Sequence, residues 1–288
     1  MTYVLAAGSH TLELIAAAQV LGDVTVVSFD EEQYPANIVR CSAEGRVVMP
    51  AVDALSMLAA QNPQPIVLLA DSVGNEIAGR LAARLASGVL TNVVGINADR
   101  TAQLSIFGDT ISGTAAVGGT SPIYTIRPGS VTPVHPGSGA VTTMELPAAG
   151  VMDAQVTGFT PAVEGERPEL ATAKVVVSGG RGVGESGFAE YVEPLADALG
   201  GAVGATRDAV DDGQYPAQYQ VGQTGVTVSP DLYIALGISG AIQHTSGMQT
   251  SKKIIAVNND EDAPIFKIAD LGVVGDVEDI IPELLKKF

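Results

Sequence analysis

The chain opens as an alternation of short apolar runs and longer stretches with helical spacing. Residues 3–5 are a brief apolar start, and Val24–Phe29 is rich in β-branched residues, which favour a strand. Ile66–Ala70 and Val93–Ile96 are continuous apolar runs of strand length. Among them, Thr11–Leu21, Asp53–Ala60 and Asn75–Ser87 have the spacing of helices. Thr11 is placed to cap the first helix, Gly22 to stop it, and Gly88 to close the third. Wholly apolar strands separated by helices predict a parallel sheet covered on both faces.

The character changes between about Thr101 and Pro161, where Gly, Ser, Thr and Pro are frequent. Ile123–Arg127 and Val151–Thr157 read there as antiparallel strands. Thr160–Pro168, with two prolines and several charges, reads as an interdomain linker and a suitable hinge. Beyond it the alternation restarts. Lys174–Ser178, Ala202–Ala205, Leu232–Leu236 and Ile254–Val257 are expected strands, and Phe188–Leu199 and Val277–Lys286 expected helices. The expected architecture is two α/β domains, 1–162 and 163–288, each with a mainly parallel sheet flanked by helices. The length of 288 residues agrees with two domains at roughly 100–200 residues each.

Composition narrows the function. Lys and Arg total 15 against 32 Asp and Glu, a formal charge of −17, which argues against nucleic acid, whose phosphates need a cationic face. An acidic surface suits steering toward basic partner patches. A single cysteine, Cys41, cannot form an internal disulfide and reads as a partly buried thiol in a reducing cytoplasm. The three histidines, His10, His135 and His244, lie far apart and no metal-ligand spacing occurs. The N-terminal stretch lacks a basic region of the signal-peptide kind, and no apolar run approaches the roughly 20 residues that span a bilayer. No G-x-S-x-G elbow and no P-loop are present, so no residue is a candidate for bond-making catalysis.

GVGESG at 182–187 matches G-x-G-x-x-G between an expected strand and an expected helix, the setting of a dinucleotide-binding turn. The acid expected about 20 residues on is Asp208. Three readings stay open at this point: a standard NAD fingerprint, a tight strand-to-helix turn, or a loop beside a dinucleotide held in another way.

Four Gly-punctuated polar segments follow apolar strands or lie beside glycine. They are SGGRG from Ser178, GATR from Gly204, VGQTG from Val221, and the run LYIALGISGAIQH from Leu232, with AVN ending at Asn258. In an open parallel sheet the strand carboxyl ends converge on one ligand crevice, so these loops predict a single extended site. From Lys174 to Phe288 the chain resembles the alpha subunits of electron-transfer flavoproteins, in the SGAIQH core, VGQTG, GGRG and the ending from Asp260 to Asp270. The first half resembles them in pattern only. Thr206 stands where many members have Ser, and Val277 where Leu is common.

The resemblance implies an FAD-binding Rossmann-like second domain and a redox carrier, not an enzyme. It implies that His244 faces the N1–C2 carbonyl region, where reduction places negative charge. It implies that Arg207 lies over the ring and that the Thr224 hydroxyl reaches N5. Arg181, Gln223, Ser239, Gly240, Ala241, Ile242 and Gln243 are implied along the ribityl chain and pyrophosphate, and Asn258, Asp276 and Val277 near the adenosine. Thr206, Val221 and Gly222 complete the implied set. Hydrogen-bond donors and a cation are physically apt where charge develops away from water.

The implied partner is a beta subunit carrying AMP, forming an alpha/beta heterodimer anchored through the first domain. The implied donors are acyl-CoA dehydrogenases of fatty acid β-oxidation, and the implied acceptor is a membrane quinone oxidoreductase. A flavin-bifurcating or nitrogen-fixation-linked variant, with a second FAD on the beta subunit, is the alternative within the class. An NAD-linked oxidoreductase using GVGESG, or a nucleotide-binding partner with a decayed site, are the alternatives outside it.

Overall fold

The computed structural model describes residues 1–106, 111–151, 153–158 and 167–288. The chain forms two compact units, Met1–Pro161 and Ala162–Phe288. The expected linker Thr160–Pro168 falls, from 160 to 166, outside the described residues.

In the first unit the order is β1 (Thr2–Leu5), α1 (Thr11–Gln19), β2 (Val24–Ser28), β3 (Asn37–Arg40), α2 (Met49–Gln61), β4 (Ile66–Leu69) and α3 (Ser72–Leu85). Next come β5 (Val89–Val93), β6 (Gly95–Ile96), β7 (Ala102–Ile106), β8 (Ile111–Ala115), β9 (Ile123–Ile126) and β10 (Val141–Thr143). Seven strands make one sheet in the order β10-β3-β2-β1-β4-β9-β5, parallel at every pairing. Alternate residues of one strand feed opposite faces. Val4, Val26, Val67 and Tyr124 pack with Leu14 and Ile15 of α1, while Tyr3, Val27, Leu68 and Ile123 pack with Leu55 of α2 and Leu81 of α3. Burial on both faces is why these strands read as unbroken apolar runs.

Helix ends are set locally. Asp71 caps α3 by accepting from the Gly74 N–H at 2.6 Å. Thr11 is the first residue of α1 and not its cap; its hydroxyl accepts from Ala7 N–H and donates to the Gly8 carbonyl, tying down the turn before the helix. Cys41 is buried, which pushes its thiol up to about 11.

Two expectations for this unit are corrected. Ile123–Ile126 is parallel, not antiparallel, and lies inside the sheet between β4 and β5. The antiparallel pairing belongs to β6-β7-β8, an excursion between β5 and β9. The Gly- and Ser-rich surroundings of Ile123–Ile126 suggested an antiparallel excursion, whereas the strand is buried along its whole length. Val151–Thr157 forms no strand among its described residues; it makes one antiparallel bridge, Gln155 to Arg46, and residue 152 is not described.

The second unit runs β11 (Val175–Gly179), α4 (Glu193–Ala198), β12 (Ala202–Ala205), α5 (Arg207–Asp211), β13 (Leu232–Leu236), α6 (Ile242–Thr245), β14 (Ile254–Asn258), β15 (Leu271–Val274) and α7 (Val277–Leu285). Its five strands are all parallel in the order β12-β11-β13-β14-β15. Val177, Val203, Ile234, Leu236 and Val257 face Phe188, Leu195 and Ile281, while Val176, Tyr233, Ala235 and Ala256 face Val221, Met248 and Ile265. The helix expected over Phe188–Leu199 begins instead as a π turn, Phe188–Val192, before α4. Pro194 lacks an N–H and its ring crowds the preceding carbonyls, which the wider turn accommodates.

Candidate cofactor site

The strand order of the second unit reverses direction at β11. From there the chain builds β12 on one side, then crosses back to β13 on the other. Such a switch point is where loops at the carboxyl edge part and a ligand crevice opens. A cavity of about 560 Å³ occupies that edge, within the roughly 300–1,000 Å³ typical of cofactor sites. Every strand of the sheet contributes a wall. Arg181 follows β11, and Thr206, Arg207 and Asp208 follow β12. Ser239, Ala241, Gln243 and His244 follow β13, Asn258 and Asp260 close β14, and Asp276 and Val277 follow β15.

Glycines make the floor. A Cβ on Gly180 would lie 2.3 Å from the Gly237 carbonyl oxygen, and one on Gly182 would lie 2.8 Å from it. The Gly182 N–H donates to that same oxygen at 3.2 Å, so the loops after β11 and β13 meet backbone to backbone. Of the 182–187 motif, Gly182 therefore forms part of the close-packed floor of the crevice, and Val183 next to it is buried. Asp208 of the same pattern sits on the cavity wall.

The walls are held by short polar links. Thr206 caps α5 by accepting from the Ala209 N–H at 3.3 Å, and Asp276 caps α7 by accepting from the Glu278 N–H at 3.0 Å. Asn258 donates to the Ile238 carbonyl and accepts from the Asp260 N–H, both at 2.9 Å, joining the loops after β13 and β14. Among the described residues, the N–H groups of Ala241, Ile242 and Gln243 at the start of α6 have no partner. Arg207 pairs with Asp211 at 3.2 Å in an exposed contact.

The structure brings together ten of the sixteen residues expected from the sequence: Arg181, Thr206, Arg207, Ser239, Ala241, Gln243, His244, Asn258, Asp276 and Val277. Gly240 and Ile242 belong to the same loop without lining the cavity, and Ile242 is 64% exposed. Val221, Gly222, Gln223 and Thr224 form a segment beside it. The Gln223 N–H donates to the Gln243 carbonyl at 2.7 Å, and Thr224 Oγ1 accepts from Gln220 Nε2 at 2.9 Å. Gly180, Gly237 and Asp260, which lie in segments read from the sequence but were not named as site residues, also line the cavity, as does Asp211, which lies in none of those segments. A positive φ at Gly237 leaves no mark in sequence, and Asp211, the last residue of α5, carries no local sign that it faces a crevice.

His244 is buried, and its ring is held between Tyr233 OH at 2.9 Å from Nε2 and the Val221 carbonyl oxygen at 3.0 Å from Nδ1. Burial pushes its pKa down to about 4, partly opposed by the bond to Val221 and by the charge of Asp208. It is therefore neutral at pH 7 in this state.

The residues present fit a flavin dinucleotide. A backbone floor admits close approach of a phosphate, arginine and unpaired N–H groups supply donors, and Ile238, Ala263 and Val277 supply apolar contact. A parallel sheet with such a crevice at its switch point defines a nucleotide-cofactor-binding α/β protein.

The comparisons with known proteins are specific. Residues 169–249 match the electron transfer flavoprotein FAD-binding domain, and residues 6–151 match the electron transfer flavoprotein domain. The chain is 47% identical to the electron transfer flavoprotein subunit alpha of Mycobacterium leprae (strain TN), over 94% of this chain and 91% of that one. It is 39% identical to the subunit of the same name from Paracoccus denitrificans, over 96% and 94% of the two chains. It is 38% identical to that of Pseudomonas aeruginosa, over 99% and 89%. The chain belongs to the electron-transfer flavoprotein alpha-subunit family, a family of redox carriers, and its second unit is of the FAD-binding type. Among the described residues no helix is long and apolar enough to cross a membrane, and no group of side chains is arranged to hold a metal.

Proposed function

We propose that this chain is the FAD-bearing subunit of an alpha/beta electron-transfer flavoprotein. In this reading it takes electrons from acyl-CoA dehydrogenases and related flavoenzymes of fatty acid β-oxidation and delivers them to a membrane quinone oxidoreductase. The observation that carries the reading is the convergence of loops from all five parallel strands on one cavity floored by glycine. FAD supplies, when bound, an acceptor that takes electrons in pairs and releases them singly.

The chain's own residues bind it, orient it and exclude water. Arg181 and the N–H groups of residues 241–243 would hold the pyrophosphate, with Ser239, Gly240 and Gln243 along the ribityl chain. Asp276 would accept from ribose hydroxyls, Asn258 would fix the loop beneath them, and Val277 would pack on the adenine. Arg207 and His244 would face the ring system, with Thr206 anchoring Arg207 at the start of α5. Val221, Gly222, Gln223 and Thr224 would line its other end, the Thr224 hydroxyl able to donate or accept. A cation close to the ring favours negative charge there, more strongly as water is excluded.

Residues 1–162 would be the scaffold that anchors a beta subunit carrying AMP, and residues 163–288 the cofactor domain. The net acidity would steer docking onto basic patches of partners, and the single cysteine suits a cytoplasmic location. A bifurcating variant would differ on the beta subunit, with a second FAD there. The test is co-expression with a beta subunit, followed by the absorption spectrum and rapid mixing with a reduced acyl-CoA dehydrogenase. Stoichiometric FAD that is reduced by the dehydrogenase is expected. Colourless protein, or turnover with NADH through the 182–187 loop, would refute the reading.

A further inference from the structure

Tyr233 is 0% exposed near the start of β13, and a phenol so buried needs a partner for its hydroxyl. That partner is His244 Nε2 at 2.9 Å. The other ring nitrogen, Nδ1, lies 3.0 Å from the Val221 carbonyl oxygen. A carbonyl only accepts, so Nδ1 carries the proton, and Nε2 accepts from the Tyr233 O–H. The two contacts come from different elements, one from the β-sheet and one from the VGQTG loop. Together they set both the tautomer and the direction of the ring.

A second hydroxyl lies behind the first. Ser178 Oγ, on β11, is buried beside Tyr233 and has no well-formed hydrogen bond among the described residues. Hydroxyl groups turn. If the ring gains a proton at Nε2, Tyr233 can accept there, and its own O–H can then point to Ser178. The charged side chain whose field reaches the ring is Asp208 on α5, which favours the protonated form; Arg181 and Arg207 are the cationic groups that line the same cavity.

We propose that Tyr233 is a positioning residue for His244. Its hydroxyl, backed by Ser178, holds the neutral Nδ1–H ring in the resting site and reverses to accept from Nε2–H when the ring takes up a proton. The second half of this rests on FAD occupying the cavity. When a reductant supplies electrons to the cofactor and water supplies a proton to Nε2, the ring becomes a cation beside new negative charge with no hydrogen bond lost. Phenylalanine at 233 would leave the Nε2–H of that cation buried and unpaired.

The test is NMR of the full chain with its beta subunit, carrying ¹⁵N-labelled histidine, at neutral pH. With three histidines in the chain, the His244 signals are identified by their absence in His244→Gln. In flavin-free protein, Nδ1 is expected protonated and Nε2 hydrogen-bonded as an acceptor. In Tyr233→Phe the Nε2 resonance should move toward that of an unbonded pyridine-type nitrogen. After dithionite reduction of the FAD-loaded protein, both nitrogens of the wild-type ring should be protonated. Tyr233→Phe and Ser178→Ala should each show about tenfold less protonated ring, as for one lost bond to a charged group. An unmoved Nε2 signal in Tyr233→Phe, an Nε2–H tautomer in flavin-free wild type, a neutral ring after reduction, or variants that protonate like wild type would each overturn the proposal. Failure to take up FAD refutes the functional reading separately, because the flavin-free spectra decide the role of Tyr233 without it.

Discussion

Gly237→Ala perturbs the floor of the cavity at one atom. Gly237 has φ of +61°, a left-handed conformation that costs another residue about 1–2 kcal/mol. An added Cβ would also lie 2.8 Å from the Gly182 carbonyl carbon and 2.9 Å from the Val183 nitrogen. These are backbone atoms, which cannot swing aside as a side chain would, so the loops after β11 and β13 must part. Overpacking of this kind costs about 1–3 kcal/mol, for a total of about 2–5 kcal/mol. Gly213→Ala separates the two contributions, because Gly213 has φ of +77° with nothing within 4 Å of its Cβ position. It should lose only the conformational part. The loss is read from hydrogen exchange of the β11 and β13 amides, which report opening of the second unit. In the free protein the parted loops relieve the clash, and FAD must press them together again. The steric part should therefore reappear in FAD affinity, weakening it about 5- to 150-fold in Gly237→Ala and leaving Gly213→Ala unchanged. Equal stability losses in the two variants, or wild-type FAD affinity in Gly237→Ala, would show that the close approach of these loops does not shape the site.

Other consequences follow from single contacts. The folded pKa of His244, about 4, lies below its unfolded value near 6.5, so between those pH values the unfolded chain binds a proton that the folded chain refuses. Stability should fall as pH falls through that window and be flat in this respect above it; urea titrations at several pH values should show a shallower slope for His244→Gln. Arg46, with a side chain 1% exposed, bridges Asp153 at 3.0 Å and Asp53 at 3.5 Å, so Arg46→Ala should cost about 3–5 kcal/mol in exchange protection of β1 and β4. Arg80→Ala, which breaks a half-exposed pair with Glu76, should cost less than about 1 kcal/mol in the same measurement. Asp71→Ala removes the cap of α3 and should cost about 1 kcal/mol, seen as faster exchange at Gly74 and its neighbours.

The strands most legible in the sequence are those buried on both faces, such as Ile66–Leu69 and Leu232–Leu236. Strands without an unbroken apolar run were missed. Leu271–Val274 is largely exposed, and Asn37–Arg40 and Val141–Thr143 mix polar and apolar residues, so neither has a run or a period to read. The direction of Ile123–Ile126 was misread because strand direction depends on where the chain re-enters the sheet, and local composition says nothing of that. The site was readable through its loops, since glycine and polar groups after apolar strands must lie at the carboxyl edge of a parallel sheet. What surrounds His244 was not readable. Tyr233 precedes it by eleven positions and Val221 by twenty-three, and only the packing of β13 against the VGQTG loop brings their oxygens to opposite sides of one ring.

Local chemistry is enough to set out an α/β chain, a glycine-punctuated ligand crevice and an acidic surface, because apolar runs, turn residues and charge each act over a few residues. Strand order, the meeting of Gly180 and Gly182 with Gly237, and the protonation of His244 belong to the tertiary structure. Each depends on atoms far apart in sequence whose distance is settled only when the sheet closes and water is expelled from between its loops.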